Sequence, residues 1–142
     1  MVEKPDFAVI AAMQDGNVYF VEQFRYPVGA RFWELPQGTW ESTSTDALAL
    51  ARAELLEETG IAARTMAHVG RLHEAYGYSS QAFNLFVATE LEFGQPRLEA
   101  EEQGLVSRPF SVAQACEMIC TGVITDAVTV ASFGLLRLKG LL

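Results

Sequence analysis

Residues 52–61 read Arg-Ala-Glu-Leu-Leu-Glu-Glu-Thr-Gly-Ile, and the turn-prone stretch Glu34-Leu-Pro-Gln-Gly38 precedes them. On a helix that advances about 100° per residue, Glu54, Glu57 and Glu58 project within an arc of roughly 100°. Carboxylates so close repel one another, and a hard divalent cation with oxygen ligands relieves that repulsion most directly. Mg²⁺ is the expected ion, with Mn²⁺ as the alternative. A solvated acidic helix face has the same composition. The Pro-Gly turn ahead of this one favours a site.

The flanking elements must hold these acids in place. The helix is expected to begin after Ser44 or Thr45, either of which can cap it, with Asp46 in its first turn and Gly60 as its stop. Leu48, Ala51 and Leu55 form its apolar stripe. Upstream, Phe7-Ala-Val-Ile-Ala-Ala-Met13 and Val18-Tyr-Phe-Val-Glu-Gln-Phe24 read as adjacent strands joined at Asp15-Gly16-Asn17. Arg31-Phe-Trp-Glu-Leu35 reads as a short strand feeding the Pro36-Gln37-Gly38 turn. Phe32 and Trp33 on it could stack on a base or sugar, or belong to the core.

Downstream, 64–72 and 81–91 read as strands, with Tyr76-Gly-Tyr-Ser-Ser80 between them. Tyr76 and Tyr78 either line a pocket or decorate an exposed loop. His68 and His73 stand apart and are given no catalytic role. An acidic loop, 94–104, carries Glu99, Glu101 and Glu102 and leads to a last strand, 105–110. Ser111 caps a helix through Cys120 that closes at Gly122, and Asp126 opens another that ends near Lys139-Gly140.

At 142 residues, half of them hydrophobic, the chain is expected to be one domain, 1–142, with a sizeable core. A net charge of −8 argues against nucleic acid and anionic membranes as partners. It also requires cations and local arginines to reverse the sign wherever a polyanion binds. Cys116 and Cys120, four apart, are expected as buried small hydrophobes rather than as a disulfide or zinc site. With no leader-like or membrane-spanning run, a cytoplasmic location is expected.

Gly38 to Ile61 resembles the Nudix box, Gly-x5-Glu-x7-Arg-Glu-U-x-Glu-Glu-x-Gly-U with U aliphatic. Glu54, Leu55, Glu57, Glu58, Gly60 and Ile61 fall in register, while Gly38 lies one residue too far upstream, which implies an insertion within residues 39–44. The first glutamate of the pattern falls on Ser44 or Thr45, and its arginine is replaced by Ala53. Arg52 is about 100° round the helix from that position and cannot substitute for it. Val21-Glu-Gln-Phe-Arg-Tyr-Pro27, Trp33-Glu-Leu-Pro-Gln-Gly38 and Gly122-Val-Ile-Thr-Asp-Ala127 with Thr129 resemble the branch that hydrolyses ADP-ribose and related nucleoside diphosphate sugars.

The resemblance implies an α/β/α sandwich around a mixed sheet. It also implies Mg²⁺ held by Glu54, Glu58 and the Gln37 carbonyl, with Glu57 bridging a further ion or orienting the first. Glu102, with Glu101 in reserve, would take the proton of the attacking water, Arg25 would contact the substrate diphosphate, and Glu34 would support the metal site. The partner is then a small nucleoside diphosphate, and a homodimer is left open. Enzymes of this branch carry an N-terminal sheet that helps bind adenosine, and only six residues precede the first strand here. Two alternatives follow: a nucleoside triphosphate pyrophosphatase, and a noncatalytic nucleotide-sugar binding module motivated by the altered box.

Overall fold

The computed structural model describes residues 3–39 and 46–142. Its organising strand is β1 (Phe7–Gln14), in which Phe7 to Ala12 are all buried. An unbroken apolar strand is buried on both faces, so it belongs in the middle of a layered fold. β1 runs parallel to β6 (Ala82–Phe93), from Phe7 opposite Phe83 to Ala12 opposite Ala88. On its other edge it pairs antiparallel at one end with β2 (Asn17–Arg25) and at the other with β4 (Gln37–Gly38). The Asp15-Gly16 turn joins β1 to β2, with both residues at positive φ, as a tight hairpin requires.

The sheet order is β3-β2-β1-β6-β5, with β3 at Ala30–Glu34 and β5 at Ile61–His73; β7 (Val106–Ser111) pairs antiparallel with β2. Alternation along β1 separates two cores. Phe7, Val9 and Ala11 pack with Phe20, Leu85 and the residues Ala115, Phe133 and Leu136 of α2 (Val112–Cys120) and α3 (Ala127–Leu138). Ala8, Ile10 and Ala12 pack with Phe86, Ala88 and α1 (Ala47–Thr59). The mixed sheet therefore lies between helical layers, as the resemblance implied.

Several local expectations need correction. The buried apolar residues of α1 are Leu50, Ala51 and Leu55, whereas Leu48 is 40% exposed. The cap is Asp46, whose carboxylate accepts the Ala49 N–H at 2.7 Å. Ser44 and Thr45, with the inserted loop, lie outside the described residues. β5 begins at Ile61 rather than at residue 64, because the helix ends in one step at Gly60. Cys120, expected to be buried, is exposed at the end of α2, and Cys116 is half-buried. Ser111 caps α2 and Asp126 caps α3, each accepting the N–H three residues on, as expected. Among the described residues no helix is long and apolar enough to cross a membrane.

Gly60 is fixed twice over. Its φ is +76°, and a Cβ there would collide with the backbone of Gly94, whose N–H donates to the Gly60 carbonyl at 2.9 Å. We expect Gly60→Ala to cost about 2–4 kcal/mol, by strain plus displacement of the neighbouring loop. Urea denaturation measures it, and a loss below about 1 kcal/mol would show that the backbone yields there freely.

Candidate active site

The helix α1 buries Glu54 and Glu58 along with its leucines, at 6% and 3% exposure, and leaves Glu57 half-buried. The two buried acids lie at the border of the packed face, beside the Leu35-Pro36-Gln37-Gly38 bend. β1 clamps that bend, since the Ile10 N–H donates to the Pro36 carbonyl at 3.0 Å and Val9 pairs with Gln37. The Gln37 N–H in turn donates to Glu58 Oε1 at 3.0 Å. A Cβ at Gly38 would fall on the Glu54 carboxylate, so glycine at this position is what leaves that carboxylate its space.

The opposite wall is the loop that was read as a polar stretch of 94–104. It contains a short 3₁₀ turn, Ala100–Glu102, in which the Glu99 N–H donates to Glu102 Oε1 at 3.0 Å. This brings Glu102 across to α1: one carboxylate oxygen each from Glu54, Glu57 and Glu102 lie within 4.8 Å of one another. The cavity between helix and loop is about 740 Å³ and is also lined by Glu58, Glu99 and Glu101. Arg25, at the end of β2, is the only basic residue among the described residues lining it. Arg25 is ion-paired with buried Glu34.

Crowding and burial shift these acids strongly. Burial, then the facing charge of Glu57, pushes Glu54 up to about 8. Glu58 is pushed up to about 9 by burial and by Glu54, against the Gln37 N–H that favours its charged form. Glu34 is raised by burial even though Arg25 pulls the other way. Glu99, sharing hydrogen bonds with Glu101 and Glu57, is raised to about 7, while its own backbone amide holds Glu101 low. All-oxygen donors at this spacing, with the glycine cradle beside Glu54, fit a hard divalent cation held by Glu54, Glu57 and Glu102. Glu58, one oxygen of which is taken by the Gln37 amide, lies next to that trio.

A second cavity, of about 400 Å³, shares Arg25 and Gln37 with the first and is lined further by Val28, Phe32, Glu34, Glu74, Thr125 and Asp126. Asp126 Oδ2 accepts from Gln37 Nε2 (3.1 Å), Thr129 N–H (3.1 Å) and Thr129 Oγ1 (2.7 Å), and Thr129 Oγ1 accepts the Leu35 N–H at 3.0 Å. The N-terminus of α3 thus pins the bend on both sides of Pro36. Asp126 stood in one of the motifs read from sequence, but only as part of a pattern. Glu99 and Glu74 are further lining residues to which sequence reasoning gave no site role, and only the acidic run around Glu99 signalled one of them; Phe32, read as either a stacking or a core residue, lines the second cavity.

Trp33 and Tyr76 lie elsewhere. Adjacent strand residues face opposite ways, so with Phe32 on the cavity side, Trp33 packs edge-on against Phe110 at 5.0 Å and lines neither cavity. Tyr76 is 80% exposed and its ring lies beside His73; it too lines neither cavity. Arg52 turns away and donates to the Ala63 carbonyl, so at the box arginine's position the cavity wall is Ala53 alone. His68 bonds to Asn84 on the exposed sheet edge.

The bend, the acidic helix and the sheet that carries both are those of the Nudix family, and the chain belongs to it: the NUDIX domain pattern matches residues 3–123. Within that family, the chain is similar to the ADP-ribose pyrophosphatase of Mycobacterium tuberculosis, at 31% identity over 125 residues, covering 87% of this chain and 60% of that protein. It is similar also to the ADP-ribose pyrophosphatase of Bacillus subtilis, at 27% identity over 133 residues, covering 93% of this chain and 71% of that one. The fold matches the crystal structure of an ADP compounds hydrolase with a TM-score of 0.84, over 98% of this chain and 78% of that chain, at 18% identity. The branch expected from the separated motifs is thus the one to which these sequence relatives belong.

Proposed function

We propose that the chain hydrolyses the diphosphate that joins a nucleoside to another group, with ADP-ribose the leading substrate and Mg²⁺ or Mn²⁺ required. The observation that carries this is the trio of Glu54, Glu57 and Glu102, whose oxygens meet within 4.8 Å at a cavity with Arg25 on its wall. When bound, the ion supplies charge neutralisation at the phosphate oxygens and makes water more acidic. Glu54 and Glu57 would hold it from the helix, with Glu58 and the Gln37 carbonyl as the further ligands that the family resemblance implies. With Glu102 among the ligands of the cation, Glu101 beside it accepts the proton of the attacking water.

Arg25 donates its fork to the diphosphate, and Glu34 holds that fork in place from below. The group beyond the diphosphate enters the second cavity. That space is walled by Phe32 and Val28 and edged with acceptors, and Asp126 already occupies the amide end of α3. Such a lining suits hydroxyls and disfavours a further phosphate. It therefore favours a sugar-linked diphosphate over a nucleoside triphosphate.

For ADP-ribose the products are AMP and ribose 5-phosphate. A panel of nucleotide sugars, dinucleotides and nucleoside triphosphates, assayed with each metal and with both products identified, tests the reading. Release of a sugar phosphate is expected, and exclusive release of inorganic pyrophosphate from triphosphates would overturn it. The bare Ala53 wall favours one further reading, a module that binds nucleotide sugars without cleaving them. Binding without turnover at millimolar metal would establish that reading instead.

A further inference from the structure

The loop 94–104 brings Glu99, Glu101 and Glu102 to the cavity that the helix acids also face, and like charges push it outward. Its near end is tied by backbone hydrogen bonds, Gly94 N–H to the Gly60 carbonyl at 2.9 Å and Arg97 N–H to the Glu57 carbonyl at 2.8 Å. Its far end is tied by a side chain from another part of the sequence. Arg31, on β3, donates through Nη2 to the Gly104 carbonyl at 2.7 Å and to the Glu22 carbonyl at 3.2 Å, and through Nε to Glu22 Oε1 at 2.9 Å. One planar fork thus fastens the loop to β2. Gly104 lies two residues beyond Glu102, whose own carbonyl accepts the Leu105 N–H at 3.0 Å. Arg31 lines neither cavity.

We propose that Arg31 is a positioning residue whose guanidinium clasp on Gly104 holds the Glu102 carboxylate within the cation-binding trio. The proposal rests on reading Glu54, Glu57 and Glu102 as cation ligands. Lysine replaces the clasp only in part, because a single ammonium can reach the Gly104 carbonyl but lacks the planar fork that holds two elements at once. A role limited to stability would leave metal affinity unchanged in the folded protein.

The test is calorimetric titration of Mn²⁺ into the wild-type chain, Arg31→Ala, Arg31→Lys, Glu102→Gln and the double variant Arg31→Ala/Glu102→Gln, with folding checked by circular dichroism. Arg31→Ala is expected to weaken Mn²⁺ binding about 10-fold or more, the size of effect seen when a ligand loses its outer support. Arg31→Lys loses a smaller part of the affinity, and carries the comparison if the alanine variant does not fold. In the Glu102→Gln background, Arg31→Ala is expected to add less than about 2-fold, since its effect runs through a carboxylate already removed.

An Arg31→Ala affinity equal to wild type, or an equal loss with and without Glu102, overturns the proposal. Coupled Mn²⁺ binding in a chain that cleaves no nucleotide would leave the clasp standing and remove the hydrolase reading. Turnover with an affinity indifferent to Arg31 would do the reverse, and a wild-type chain that binds no Mn²⁺ overturns both.

Discussion

Glu54→Gln is expected to cut metal-dependent turnover by about 10³-fold or more, equivalent to the several kcal/mol that a correctly held cation contributes to the transition state. The substitution keeps the shape of the side chain, and the space left by Gly38 still accommodates it. What it removes is a negative charge from a site where Glu57 and Glu102 stand within 4.8 Å. The same change should raise the melting temperature of the metal-free protein at pH 9, because Glu54, pushed up to about 8, is then largely a buried charge facing other charges. Loss of turnover together with a gain in stability is the signature of a ligand. A variant that loses both would mark Glu54 as a structural residue, and wild-type turnover that survives EDTA would end the metal-dependent scheme.

The second large effect is on stability as a function of pH. Glu54 and Glu58 have folded-state pKa values of about 8 and about 9, far above the 4.5 of a free carboxyl. Between those limits the folded chain binds more protons than the unfolded one, so its stability falls as pH rises. The stabilisation is complete below about 4.5 and is lost as pH rises through 8 to 9. In EDTA, the melting temperature should drop by about 5–10 °C between pH 6 and pH 9 on account of these groups. Added Mg²⁺ should restore little at pH 6 and most of the loss at pH 9, since a cation binds the deprotonated acids and binding must displace their protons. Scanning calorimetry across pH, with and without Mg²⁺, measures this. A flat profile in EDTA, or a Mg²⁺ effect equal at both pH values, would mean that neither acid is coupled to the cation site.

Much of the architecture was legible because local patterns and the tertiary fold agree. The apolar run at Phe7 reads as a strand and proves to be an interior one, the Asp15-Gly16 pair reads as a tight reversal, and Ser111 and Asp126 announce helices by capping chemistry. One of the three stripe residues on α1 was misread, Leu48 in place of Leu50, because the helix buries two glutamates with its leucines. No scale of apolarity anticipates that, since their burial depends on the bend packed over them.

What the amino-acid order settled by itself was the group of glutamates on one helix, their Pro-Gln-Gly partner and the family to which both belong, since helical pitch fixes which side chains share a face. The folded chain alone decided which carboxylates meet. Glu102 reaches Glu54 and Glu57 only because a loop some forty-five residues further on folds back and is tied to Gly60, Glu57 and Arg31. The folded chain also turned Trp33 into the core and left Phe32 at the cavity, because which way a strand residue faces depends on what its sheet packs against. Contacts between residues far apart in sequence arise when layers pack, and no local spacing records them.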